Sequence, residues 1–275
     1  MARKKIVTKN RKSMSLDEIK AYKVAYGDKL KVKDFTMYVG SPALIFGGMS
    51  YLLLHNFWLS FVLAFLGALY GVIYILPKAV KKQYEARSFV QRNKFLNNIS
   101  QVLTDEGQTV MSAIGKVTPR ADGEFKDDLE QYHAMLIGVD DERLREATIW
   151  FSEKYESDVV FLQYLEQLET AMLEGKTNVD TLKDIKTYHN DIQKKQDYYE
   201  LAKQGHLSAM KQLMFIATVM IIVMNLSFGY DTYIEAYATH FSGYISAGIY
   251  LLILAFFFRQ FMSYYMDDSV MEIRK

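Results

Sequence analysis

Gly175-Lys176-Thr177 carries the residue types that close a nucleotide-binding P-loop, where backbone N–H groups cradle phosphate and the lysine reaches its outer oxygens. Its surroundings exclude that chemistry. The motif's earlier glycine would fall at position 170, which is Thr170, the preceding residues have helical periodicity, and Glu174 would repel phosphate. His55, His133, His189, His206 and His240 show no His-x-x-x-His pairing, so no metal site is expected. The absence of cysteine removes thiolate nucleophiles, cysteine metal sites and disulfides together. No serine lies in a Gly-x-Ser-x-Gly elbow. The chain therefore reads as non-enzymatic, with no catalytic residue, cofactor or metal.

What remains is charge. Asp122, Glu124, Asp127, Asp128, Glu130, Asp140, Asp141, Glu142, Glu146, Glu153, Glu156 and Asp158 face few basic residues, chiefly Arg120, Lys126, Arg143, Arg145 and Lys154. Asp127, Asp128, Asp140, Asp141, Glu142 and Glu146 are the candidate docking residues for a basic partner, a surface that would steer association more than set affinity. The same carboxylates also fit a solvated face that keeps the domain off anionic lipid. They lack calcium-loop spacing, so a bound divalent cation is not expected.

The elements that would position these residues follow from where charge is missing. From Asp34 to Lys78 lies an uncharged stretch of roughly forty residues, twice the ~20 that one membrane-crossing helix needs. The break falls at Leu54-His55-Asn56, which places spans at about 36–54 and 57–76, with Pro77 and Lys78 ending the hairpin. Gln212 to Tyr230 and Ala236 to Phe258 are charge-free as well, separated by Asp231 and Glu235, and make a second hairpin over 211–260 with spans at about 212–230 and 239–258. Lysines and arginines crowd residues 1–34 and follow the second span, whereas the two short loops at His55 and at Asp231 to Glu235 hold neither. By the positive-inside rule both termini, the 261–275 tail and the middle domain face the cytoplasm of a cell membrane. The basic N-terminal segment is expected to be retained, with its lysines either against anionic headgroups or in solvent. Within the spans, Asn225 and Ser227 need hydrogen-bond partners, and Gly243, Ser246 and Gly248 permit close approach of another helix, either from this chain or from a partner.

Residues 78–210 show helical periodicity throughout. One stripe is Phe95, Ile99 and Val102; others are Phe125, Leu129, Tyr132 and Leu136, then Leu144, Thr148, Phe151 and Tyr155, then Phe161, Leu165, Leu168 and Met172. Leu182, Ile185, His189, Ile192, Gln196 and Tyr199 make the longest, close to a coiled-coil seam, and His189 reads there as a packed side chain. Gly107, Gly138 and Gly175 each end an apolar stripe and are followed by a cap candidate, Thr109, Asp140 or Asn178. The fold class is all-α: a polytopic membrane protein with four transmembrane helices in two hairpins and a cytoplasmic helical bundle.

Over about residues 90–265 the sequence resembles the type II secretion system F family, in its single-domain branch of tight-adherence pilus platform proteins. The resemblance rests on Phe95 to Ile114, on Met135 to Tyr155 with its Leu-x-Gly turn, on Glu174-Gly175-Lys176-Thr177-Asn178-Val179 with Leu182, and on Gly205-His206-Leu207-Ser208-Ala209 ahead of the third span. A family Gly-Gly pair is Glu174-Gly175 here, and the third span lacks the proline that many relatives carry. The resemblance implies a platform that couples a cytoplasmic assembly ATPase to pilin-like subunits drawn from the bilayer. With a single F-type domain, it further implies association with itself or a paralogous F-family protein. On this reading the acidic residues would dock the ATPase, and the intramembrane polar and small residues would pack internally or meet a pilin. Membrane lipid is a further partner, and nucleic acid is not. The alternatives are a small-molecule transporter or channel subunit, which the lack of ionisable groups in the span cores disfavours, and a membrane-anchored signalling scaffold dimerising through helix 178–205.

Overall fold

The computed structural model describes residues 14–105, 107–175 and 178–267. Every regular element among them is helical, and four helices are long and apolar enough to cross a membrane. In chain order these elements are α1 (Leu16–Val24), α2 (Val32–Leu54), α3 (Phe57–Val102), α4 (Val110–Val117), α5 (Gly123–Leu136), α6 (Asp141–Glu153), α7 (Val159–Glu174), α8 (Val179–Phe228), α9 (Tyr230–Tyr233) and α10 (Phe241–Tyr265). The membrane-length members are α2, α3, α8 and α10. The chain divides into two compact units, which α3 and α8 share.

The first unit gathers the described residues up to Lys23, then Lys29–Lys82 and Gln204–Asp267. His55, at φ 49° in the left-handed region, ends α2, and the Asn56 side chain caps α3 by accepting from the Leu59 N–H at 3.1 Å. Small residues set how closely α2 and α3 approach. A Cβ on Gly67 would lie 2.7 Å from the Pro42 carbonyl oxygen and one on Gly71 2.5 Å from that of Tyr38. Gly67-x-x-x-Gly71 is thus a small-residue packing face, the arrangement by which helices associate where no hydrophobic drive exists.

Helix α3 runs on through Pro77 and Lys78, where the hairpin is expected to end, and continues to Val102. The reason lies one turn earlier. Gly71–Ile75 form a wide π-type turn, closed by the Leu76 N–H bonding the Gly71 carbonyl. Proline costs a helix its hydrogen bond and clashes with the carbonyl four residues back; a local widening just upstream relieves both.

The second unit is Val24–Asp28 and Gln83–Lys203. Its core is one cluster of buried side chains from α3 through α8, with Phe95, Ile99, Ile114, Phe125, Phe151, Phe161, Leu165 and Leu182 among them. Four aromatic rings dominate it: Phe125, Phe151, Tyr155 and Phe161 pack mainly edge-to-face, and Tyr132 stacks on Phe151 with centroids 4.6 Å apart. The predicted apolar stripes on α3, α5, α6 and α7 are the ones that face this core. The segment before α2 also contributes: the Glu124 N–H bonds the Ala25 carbonyl at 2.7 Å, and Arg87 pairs with Asp28 at 2.7 Å. The expected behaviour of residues 1–13 lies outside the described residues.

Candidate functional site

An exposed concentration of charge lies at the start of α6. Gly138 adopts φ +66°, which turns the chain back after α5. Asp140 then caps α6, its side chain accepting from the Arg143 N–H at 3.0 Å, and Asp141 and Glu142 occupy the first turn. Carboxylates here are favoured by the positive end of the helix dipole. Asp140, Asp141, Glu142 and Glu146 are all exposed, as is Arg143 between them.

The six docking candidates do not form one patch. Asp128 is buried at 8% exposure; its carboxylate takes the Lys154 ammonium on one oxygen and the Tyr155 hydroxyl, at 2.9 Å, on the other. It is therefore a core-facing ion pair and not part of an exposed docking surface. Asp127 is exposed but lies nine positions before the end of α5, about 14 Å from the turn by helical rise. The usable acidic face is Asp140, Asp141, Glu142 and Glu146.

Asp158 is also taken out of the acidic surface, and what takes it in was not legible in the sequence. It caps α7, with its Oδ1 accepting from the Phe161 N–H at 3.0 Å. Its Oδ2 accepts from Arg92 Nε at 2.7 Å and faces His189 Nε2 at 3.1 Å. Burial alone would raise this carboxyl, but the bond from His189 and the adjacent Arg92 charge outweigh it and hold the pKa down at about 2. Arg92 also donates to the Ser88 hydroxyl at 2.6 Å. His189 is fully buried, stacks on Phe89 with centroids 4.4 Å apart, and meets the Asn93 amide at 2.9 Å through Nδ1. A proton assigned to Nε2 satisfies both ring nitrogens, since Asp158 accepts and the Asn93 amide donates. Asn93 and Asn97 each donate to the Asn190 Oδ1, at 2.8 and 2.9 Å. A polar seam thus pins α3, α7 and α8 together. In the sequence His189 reads as a packed side chain on its stripe, and an arginine and two asparagines interrupt an amphipathic helix; their partners lie far along the chain.

Gly107 and Gly175 share the left-handed conformation of Gly138, at φ +77° and +66°, while Lys176 and Thr177 of the P-loop look-alike lie outside the described residues. Among the intramembrane candidates, Asn225 donates to the carbonyls of Ile221 at 2.9 Å and Leu52 at 3.3 Å, tying α8 to α2. Ser227 is exposed on α8. Ser246 and Tyr237 share a hydroxyl–hydroxyl bond of 2.7 Å, and a Cβ on Gly243 would fall 1.9 Å from the Tyr237 carbonyl oxygen. Both therefore hold the start of α10 against the segment before it. Gly248 faces open space.

Among the described residues no group of histidines and carboxylates could hold a metal ion. The shallow depression lined by Gln91, Lys94, Phe95 and Arg120 has essentially no room for even a water molecule, far below the roughly 300 Å³ at which small-molecule pockets begin.

Compared with known proteins, the chain is 44% identical over 267 residues to a Bacillus anthracis protein named "Uncharacterized protein pXO2-23", spanning 97% of this chain and 96% of that one. The chain belongs to that protein's family. The shared length includes all four membrane-length helices and the helical unit between them. No family model and no solved structure matches the chain.

Proposed function

We propose that this family member is a non-enzymatic platform of the type II secretion F kind. On this reading it lies in the cell membrane as two hairpins of spans with both termini inside, and its helical unit offers the α6 start to a basic face of a cytoplasmic assembly ATPase. Movement of that ATPase would displace the helical unit, and the attached spans would pass the displacement to pilin-like subunits in the bilayer. A second F-family copy or paralogue would complete the platform.

One observation carries the proposal: a tightly packed helical unit, set in the chain between pairs of membrane-length helices, exposes four carboxylates at a single helix start. Charge so placed steers a macromolecular partner of opposite sign. The signalling-scaffold alternative needs the α8 seam free for dimerisation, yet Leu182 and His189 are buried within the same chain. The test is copurification. The tagged full chain, taken from its own membranes in mild detergent at low salt, should bring down an assembly ATPase, and the triple substitution Asp140→Lys, Asp141→Lys, Glu142→Lys should lose it. Equal recovery of the ATPase with the triple variant would remove the docking face, and recovery of a transport ATPase or a kinase instead would replace the platform reading.

A further inference from the structure

At one end of the spans, α3 and α10 bring cations and hydroxyls together without a carboxylate. Lys78 Nζ donates to the Tyr74 hydroxyl at 2.8 Å and lies 4.2 Å from the centre of its ring. Ser263 on α10 lies beside the same phenol, and the Arg259 charge bears on both Tyr74 and Tyr70. The Tyr70 and Tyr74 rings are stacked with centroids 5.2 Å apart, and Tyr70 packs edge-on to Phe258. Among the described residues no Asp or Glu pairs with Lys78 or Arg259, and the Tyr70 hydroxyl, itself buried, has no hydrogen-bond partner. Lys78, Arg259 and Ser263 are exposed, so the cluster opens outward.

Helical rise puts these groups at one depth. Arg259 lies eighteen residues beyond the first residue of α10, about 27 Å, and Lys78 twenty-one beyond that of α3, about 32 Å, each close to the ~30 Å thickness of a hydrocarbon core. Both cations therefore reach the same membrane–water interface, at the end of the spans away from His55. An arginine in the run Phe256-Phe257-Phe258-Arg259 is costly in hydrocarbon unless it meets an anion, and guanidinium binds phosphate in a two-pronged geometry.

We propose that Lys78, Arg259, Tyr70, Tyr74 and Ser263 form a binding site for the phosphate of an anionic phospholipid, seated between α3 and α10 at that interface. The two cations neutralise the phosphodiester, while the Tyr70 hydroxyl supplies a donor that has no partner among the described residues. Basic pockets between membrane helices recognise anionic headgroups by this chemistry. The site depends only on the spans and stands or falls separately from the platform reading.

The test uses the full chain purified in detergent and loaded with phosphatidylglycerol or phosphatidylcholine, with bound lipid counted by native mass spectrometry. Phosphatidylglycerol should be retained and phosphatidylcholine not, and Lys78→Gln with Arg259→Gln should lower retention by about thirtyfold. Lys211→Gln removes another exposed cation near an apolar run and should leave retention unchanged. Tyr70→Phe, which keeps the ring and its packing, should weaken retention without altering helix content. Millimolar inorganic phosphate should fail to displace the lipid. Displacement by it would make the ligand a free phosphate and overturn the lipid assignment. An equal loss from Lys211→Gln, or no loss from the double variant, would reduce the cluster to general surface charge and overturn the site.

Discussion

Replacing Asp158 by Asn changes one atom and isolates one quantity. The asparagine oxygen can still accept from the Phe161 N–H, so the cap on α7 survives. What disappears is the negative charge facing Arg92 and His189, whose side chains are 8% and 0% exposed. Leaving a buried charge without its partner costs about 3 to 5 kcal/mol. The acid limb offers an independent check. A carboxyl held at about 2 against an ordinary 3.8 contributes about 2 kcal/mol. Because the folded pKa is the lower one, this stabilisation is full above about pH 4 and is lost as pH falls through about 2. The assay is hydrogen exchange by mass spectrometry on the full chain in detergent, which reports local opening without assuming a single unfolding transition. Amides in α7 and in the Ser88–Asn97 stretch of α3 should lose on the order of a hundredfold protection at pH 7 in Asp158→Asn, as about 3 kcal/mol requires. Adding Arg92→Met should restore part of it, since the orphaned cation is gone. Unchanged α7 protection in the single variant, or wild-type protection that ignores acid between pH 4 and pH 2, would refute the electrostatic account of the seam.

Three further outcomes follow from the glycines. Gly138 sits at φ +66° with nothing near its missing Cβ, so Gly138→Ala should cost only the left-handed backbone, about 1 kcal/mol, read as a lower thermal midpoint of the detergent-solubilised chain. Gly243→Ala meets the Tyr237 carbonyl head-on and should cost about 1 to 3 kcal/mol with disturbance of the α10 start, whereas Gly248→Ala, facing open space, should stay within about 0.5 kcal/mol on the same thermal scale.

The helical class was legible because periodicity and charge are local properties. An uncharged run of spanning length declares itself in the chain, and the stripes through Phe125, Phe151 and Phe161 mark a core face whatever they pack against. Gly138 and Asp140 could be read as stop and start because backbone strain and capping are settled within one turn of helix. Position in the acidic set was not local. Asp128 and Asp140 look alike in sequence, yet one is sealed by Lys154 and Tyr155 and the other stands in water.

Pro77 taught the same lesson from the other side, since its helix-breaking tendency is real but yields to the wide turn at Gly71–Ile75. The sequence by itself determined where the chain is apolar enough for lipid, where helices begin and end, and that no cysteine or paired histidine was present to do chemistry. Only the tertiary structure decided that Arg92, Asp158 and His189 meet, and that Tyr70, Tyr74, Lys78 and Arg259 share one corner. The physical reason is that a charge's energy depends on how well it is hydrated and on what lies within a few ångströms, and neither is written in its neighbours along the chain.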